Sequence, residues 1–121
     1  MTLNERIIAV VTPIVPVCVP DLLVTEAGET PPEEYCTFNF PLEPEAIADD
    51  AAQLQRALVQ LHYLAPLKAN TVATRRKLWQ ALASVDEFTS PDITNASDQT
   101  GQHYVFEFEA VGRWLGDERS G

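Results

Sequence analysis

The two histidines, His62 and His103, are the residues of this sequence best suited to acid–base or metal chemistry, because an imidazole changes charge near neutral pH and binds transition metals. His62 lies in RALVQLHYLAP (residues 56–66) and His103 in QHYVFEFEA (102–110), and both segments are typical of β-strands. Glu107 shares a strand face with His103, since every second residue of a strand points the same way. A small metal-dependent hydrolase using His62, His103 and Glu107 is therefore one hypothesis for this chain.

A hydrolase of this kind also needs a carboxylate beside the histidine base, for which Asp98, Glu107 and Glu109 are the candidates, and an activated nucleophile. No serine lies in a GxSxG elbow, and neither cysteine has an electropositive neighbour in the sequence. The five glycines are too few for a phosphate-binding loop. We therefore predict that the protein is not an enzyme and has no catalytic or cofactor-binding residue.

A tetrahedral zinc site could in principle combine the histidines with Cys18 and Cys36. Structural zinc ligands usually come as close pairs on turns, whereas these four residues are scattered singly along the chain. We therefore predict no metal site. The start of the chain does not resemble a cleaved signal, so we expect a reducing compartment and free thiols.

The elements that would position these residues can be predicted from periodicity and from the prolines. Apolar residues at helical spacing predict an N-terminal helix that ends at Pro13. Residues 15–24, interrupted by two prolines, indicate an edge strand, with YCTFNF (35–40) as the return strand of a hairpin. A long acidic connection follows at 41–52. The apolar character of both sides of 56–66 predicts a central strand covered on both faces.

A second helix is predicted after Pro66, capped by Asn70 or Thr71, and it is followed by a short strand and by the long strand that contains His103. Its apolar stripe consists of Val72, Leu78, Trp79, Leu82 and Val85. We predict an α+β fold, with an antiparallel sheet of about four main strands and both helices packed on it. Residues 1–121 form a single domain by length, with a flexible tail at about 112–121.

The charge of the chain is strongly acidic, with 8 basic and 18 acidic residues and a net charge of −10. Such a protein repels a phosphate backbone, which argues against binding nucleic acid through a broad basic surface. No apolar run reaches the roughly 18 to 20 residues that span a membrane.

The charges are also divided unequally along the sequence. Nine acids and no lysine or arginine occur between Ile7 and Gln55, whereas Lys68, Arg75, Arg76 and Lys77 cluster at and within the second helix. A head-to-tail interface joins two different surfaces of the same chain, such as an acidic surface and a basic one. It closes into a ring when the rotation between neighbouring subunits divides a full turn. The residues predicted at a subunit interface or lumen are Glu26, Glu29, Glu33, Glu34, Asp49, Asp50, Arg75, Arg76 and Lys77.

The order and type of several segments resemble the tail-terminator or tail-completion proteins of the neck region of long-tailed phages. The segments are EYCTFNF (34–40), ADD (48–50), VQLHYLAP (59–66), TRRKLWQAL (74–82) and FTSPDITNASDQTGQHYVFEFE (88–109). The resemblance implies a non-enzymatic virion protein, made in the host cytoplasm, that forms a hexameric ring. Such a ring would cap the tail tube, contact the tail tube protein and a head-completion or connector protein, and let DNA pass without specific binding.

Two alternatives to a tail terminator stay open besides the hydrolase. A head-closure or connector-adaptor protein of the neck would have a similar size and α+β character. A bacterial adaptor could instead bind a basic partner through its acidic loops, and it would be a stable monomer without metal.

Overall fold

The computed structural model describes residues 2–41 and 55–112, and in them two helices lie on one face of a five-stranded mixed sheet. The elements follow the order α1 (Leu3–Val11), β1 (Cys18–Pro20), β2 (Tyr35–Asn39), β3 (Gln55–Ala65), α2 (Val72–Ala83), β4 (Asp92–Asn95) and β5 (Gln102–Gly112). The strands lie side by side in the order β1-β2-β3-β5-β4. The predicted α+β class is confirmed, but the sheet has five strands and is not wholly antiparallel.

Helix α1 begins with a capping box and buries one narrow stripe. The Thr2 hydroxyl accepts a hydrogen bond from the backbone N–H of Glu5 at 3.0 Å, and the Glu5 carboxylate accepts one from the N–H of Thr2 at 2.9 Å. Leu3, Ile7 and Val11 recur every four residues and are fully buried. The helix ends at Val11, just before Pro13, as the sequence predicts.

Helix α2 buries less of its apolar stripe than the sequence predicts. Leu78 and Leu82 are fully buried in the same core as α1. Val72 and Trp79, however, are 52% and 37% exposed. The predicted stripe is thus broader than the surface that the sheet can cover, and part of it stays in contact with solvent.

The antiparallel pair of β3 and β5 forms the centre of the sheet. Each strand has eleven residues, and the pairing runs from Gln55 opposite Gly112 to Ala65 opposite Gln102. Alternate residues of both strands point into the core, where Leu61, Tyr63 and Phe106 are fully buried. Burying such a side chain contributes about 1.5 to 3 kcal/mol, so this pair is a main source of the stability of the fold.

The predicted hairpin between residues 15–24 and 35–40 is wrong. Strand β1 covers only Cys18–Pro20 and runs parallel to β2, with Cys18 opposite Cys36. The backbone N–H of Asp21 donates to the carbonyl of Phe38 at 2.8 Å, so the chain leaves β1 beside the far end of β2. Residues 21–34 must then return along the whole length of β2, which is the crossover that a parallel pair requires.

The second face of the sheet, called the open face below, carries no helix or strand among the described residues. It holds the alternate residues that point away from the core, and every one whose side chain is described is at least partly exposed. Leu58, for example, is 43% exposed. The predicted cover on both faces of residues 56–66 is therefore not found in the described part of the chain. The predicted acidic connection at 41–52, apart from Pro41, and the predicted tail beyond residue 112 lie outside the described residues.

Candidate functional site

The two histidines meet on the open face. Their strands place His103 opposite Leu64 and His62 opposite Val105, so the imidazoles are diagonal neighbours across β3 and β5. His62 Nδ1 and His103 Nε2 are 2.8 Å apart, and the ring centroids are 5.1 Å apart. A hydrogen bond between two ring nitrogens needs one of them to carry no proton. The pair therefore favours states with at most one positive charge.

The surroundings of His62 also favour its neutral form. Burial lowers the pKa of His62, and the charge of a protonated His103 lowers it further. The Asn39 side-chain nitrogen lies 3.5 Å from His62 Nε2, at the limit of a hydrogen bond. A groove of about 280 Å³ runs over the pair and is bordered on its far side by residues 21–23.

The carboxylates proposed as partners of the histidines are engaged elsewhere. The Gln60 side chain donates to Glu107 at 3.1 Å, and Glu109 lies 3.4 Å from Arg56. The Asp98 carboxylate accepts the backbone N–H of Thr100 at 2.8 Å within a turn. The described residues thus place no carboxylate in the position of an orienting partner for either histidine.

The sheet separates the cysteines from the histidines. Cys18 and Cys36 are free and buried on the core face, while both histidines lie on the open face. Burial raises the pKa of the Cys18 thiol to about 12 and also raises that of Cys36. The four residues therefore cannot surround one metal ion. Among residues 2–41 and 55–112, no group of three or more histidines, cysteines and acids is arranged to hold one.

Residues 21–34, the acidic segment, connect β1 to β2 and are mostly exposed, and the first of them border the groove over the histidines. Glu26, Glu29 and Glu33 are exposed, whereas Glu34 accepts a hydrogen bond from the Tyr63 hydroxyl. Burial, together with that hydrogen bond, raises the pKa of Tyr63. The predicted interface acids of this segment thus belong to one connection between β1 and β2, and Glu26 and Glu29 contact each other within it. Asp49 and Asp50, which were predicted with them, lie outside the described residues.

Two large apolar side chains of the acidic segment also face solvent. Leu22 is 73% exposed and Val24 is 77% exposed. Both fall within the edge strand that the sequence predicts for residues 15–24, so their position at the surface was not predicted. Their position between acids and next to a proline was the signal that could have suggested a loop.

The predicted basic cluster on α2 divides into two kinds of residue. The Arg75 guanidinium lies 4.3 Å from the centre of the Tyr104 ring, and its Nε donates to the Thr71 hydroxyl at 3.0 Å. Arg75 is thus engaged within its own chain. Arg76 and Lys77 are exposed, and they remain the candidates for contact with another molecule.

A groove between α2 and β4, called the α2–β4 groove, is lined by both apolar and basic side chains. It has a volume of about 500 Å³ and is lined by Val72, Arg75, Arg76, Trp79, Gln80 and Ile93. Ile93 is 44% exposed, and Trp79 is held in place by a hydrogen bond from its indole N–H to the carbonyl of Pro91 at 2.8 Å. The sequence predicted Val72 and Trp79 as core residues, so this groove was missed.

Comparisons with known proteins do not identify a family for this chain. No model of a protein family matches the sequence, and a search of curated proteins finds no significant match. Within the described residues, no helix has both the length and the apolar character needed to cross a membrane.

Proposed function

We propose that this protein is a non-enzymatic structural subunit of a long-tailed phage, a tail-terminator or tail-completion protein that assembles into a ring. The observation that carries the proposal is the position of its unlike surfaces. The acidic segment begins at the β1 edge of the sheet, where Asp21 bonds to Phe38, and the exposed bases of α2 lie toward the β4 edge. Two unlike surfaces at opposite edges favour repeated head-to-tail contact.

The placement of α2 near β4 rests on two contacts. The Trp79 indole bonds to Pro91, which directly precedes β4, and Ile93 of β4 lines the same groove as Arg76. At the other edge, Asp21 is bonded to Phe38 of β2, and β1 is the outermost strand. An interface between these two edges is heterologous, because each copy contributes a different surface to each of its two neighbours. Such an interface is compatible with a ring, and the six-fold number is taken from the resemblance of the sequence segments.

The role in the phage neck rests on the resemblance of the sequence segments, and the charge of the chain is compatible with it. The ring would contact the tail tube protein on one side and a head-completion or connector protein on the other. An exposed acid outside the residues used for assembly, such as Glu33, would let DNA pass without being held where it faces the lumen. A surface that neutralises no phosphate releases no counterions and gains no affinity from them.

The proposal can be tested in particles whose genome encodes this chain. With a stop codon early in the gene, we expect electron micrographs to show tails of irregular length that do not join filled heads. Supplying the wild-type gene on a plasmid should restore normal particles. Tails of normal length joined to heads without this protein would contradict the proposal. Tails of normal length beside heads that have lost their DNA would favour the head-closure role instead.

A further inference from the structure

The α2–β4 groove and the acidic segment carry charges of opposite sign, and both expose apolar side chains to solvent. We infer that the groove receives residues 21–29 of a second copy of this chain. The inference rests on the self-assembly proposed above, and it names the surfaces that carry out that assembly. It also gives a role to the exposed apolar side chains that the fold of a single chain leaves uncovered.

The apolar part of the match is provided by side chains that face solvent on both surfaces. Val72, Trp79 and Ile93 form one contiguous apolar border of the groove. Leu22 and Val24 are the two most exposed of the large hydrophobic residues described. They alternate along a segment that has no regular secondary structure, so both can be presented to the same surface. Packing these side chains against one another would remove apolar surface from water, which favours association.

The charges match as well. Arg76 lines the groove and Lys77 follows it on α2, and both are exposed. The segment that carries Leu22 and Val24 also carries the exposed acids Asp21, Glu26 and Glu29. Asp92 is the acid nearest to Ile93 in sequence, but it pairs with Glu107 and so lies on the opposite face of β4. The groove therefore presents a basic border to an acidic partner.

A chain cannot place its own Leu22 and Val24 in its groove. Strands β1 and β4 are the outer strands of the sheet, separated by four inter-strand spacings of about 4.8 Å, or about 19 Å in all. Asp21 is fixed to Phe38 by a backbone hydrogen bond, and the three residues from there to Val24 reach at most about 10 Å. The occupant must come from another molecule, and each added copy leaves a free groove at one end and a free segment at the other.

Two double variants test the inference by disabling one surface each. Leu22→Asp with Val24→Asp changes the segment, and Val72→Asp with Arg76→Glu changes the groove. All four positions are exposed, and an acid in the first turn of α2 suits the helix dipole, so both variants should fold. A matched control, Leu67→Asp with Lys68→Glu, makes the same kinds of change at exposed residues outside the groove.

The self-association of each protein is measured by sedimentation velocity over a range of concentrations. We expect the wild type and the control to assemble, and each double variant alone to lose at least about tenfold in self-association. An equimolar mixture of the two double variants should form a complex of two chains and stop there, because only one intact groove and one intact segment can meet. That complex would also show that both variants are folded.

The two proposals fail in different ways. If either double variant assembles like the wild type, or if the mixture forms no complex, the inferred surfaces are wrong although the ring proposal stands. If the wild type stays monomeric at every concentration, self-assembly itself is contradicted, and the inference is contradicted with it.

Discussion

Among single residues, His62 and His103 bring two titratable side chains into contact on the open face. The ring nitrogens are 2.8 Å apart, and burial together with His103 lowers the pKa of His62. Protonation of both rings would break the hydrogen bond and bring two positive charges together. The contact thus behaves as a structural link between β3 and β5 whose strength depends on pH.

This pH dependence gives a prediction for stability. The folded chain resists protonation of His62 more than the unfolded chain does, because the pKa is lower in the folded state. The contribution to stability is complete above the unfolded pKa of about 6.5 and is lost as pH falls from there toward the folded pKa. Between about pH 7.5 and about pH 5.5, we expect the Tm of the wild type to fall more than that of His62→Gln. Equal falls in the two proteins would exclude this role for the pair.

The sequence predicts which residues share a strand face, but it does not predict that His62 and His103 are in contact. Strict alternation in QHYVFEFEA predicts that His103 and Glu107 share a face and that Phe106 is buried, and both are confirmed. The contact with His62 depends on the register that sets Leu64 opposite His103. No local pattern carries that register, because a shift of two residues would keep every side chain on the same face.

Between elements, Gln102 joins the connection before α2 to the start of β5. Its side-chain oxygen accepts hydrogen bonds from the hydroxyls of Thr71 and Tyr104 at 2.7 and 2.8 Å. Its side-chain nitrogen donates to the carbonyls of Pro66 and Ala69 at 2.9 and 2.7 Å. One amide thereby satisfies polar groups from three parts of the chain, among them the buried Thr71.

Replacing Gln102 should therefore destabilise the fold more than its partial exposure suggests. We expect Gln102→Leu to lower the free energy of unfolding by about 1.5 to 3 kcal/mol, because several partners lose their hydrogen bonds at once. The matched change at an exposed turn position, Gln99→Leu, should stay within about 0.5 kcal/mol of the wild type. Unfolding in urea measures the free energy of unfolding of both variants and of the wild type. Similar small effects in the two variants would show that Gln102 does not link these elements.

Helices and long strands were predictable from periodicity, whereas the path of the chain between β1 and β2 was not. Leu3, Ile7 and Val11 specify α1 by their spacing alone. Residues 15–24 looked like one strand because they are apolar, but prolines at 16 and 20 restrict pairing to Cys18–Pro20. The parallel direction of β1 is defined by two long-range hydrogen bonds, from the N–H of Cys36 to Val17 and from the N–H of Asp21 to Phe38, and neither has a local signal.

For the whole molecule, the sequence revealed the division of charge but not the apolar surfaces that accompany it. Counting acids and bases along the chain already separates residues 21–34 from α2. That Val72 and Trp79 stay exposed depends on how much of α2 the sheet covers, which only the packing determines. Likewise, Arg75 is drawn onto Tyr104 of its own chain, so charge counting overestimated the bases free to meet a neighbour.

The central claim is that copies of this chain join head to tail into a closed ring. Native mass measurements on the wild-type protein over a wide concentration range test it most directly. We expect the largest abundant species to contain six copies and to keep this size as the concentration rises. A chain that remains monomeric throughout, or that stops at a two-fold dimer, would contradict the claim.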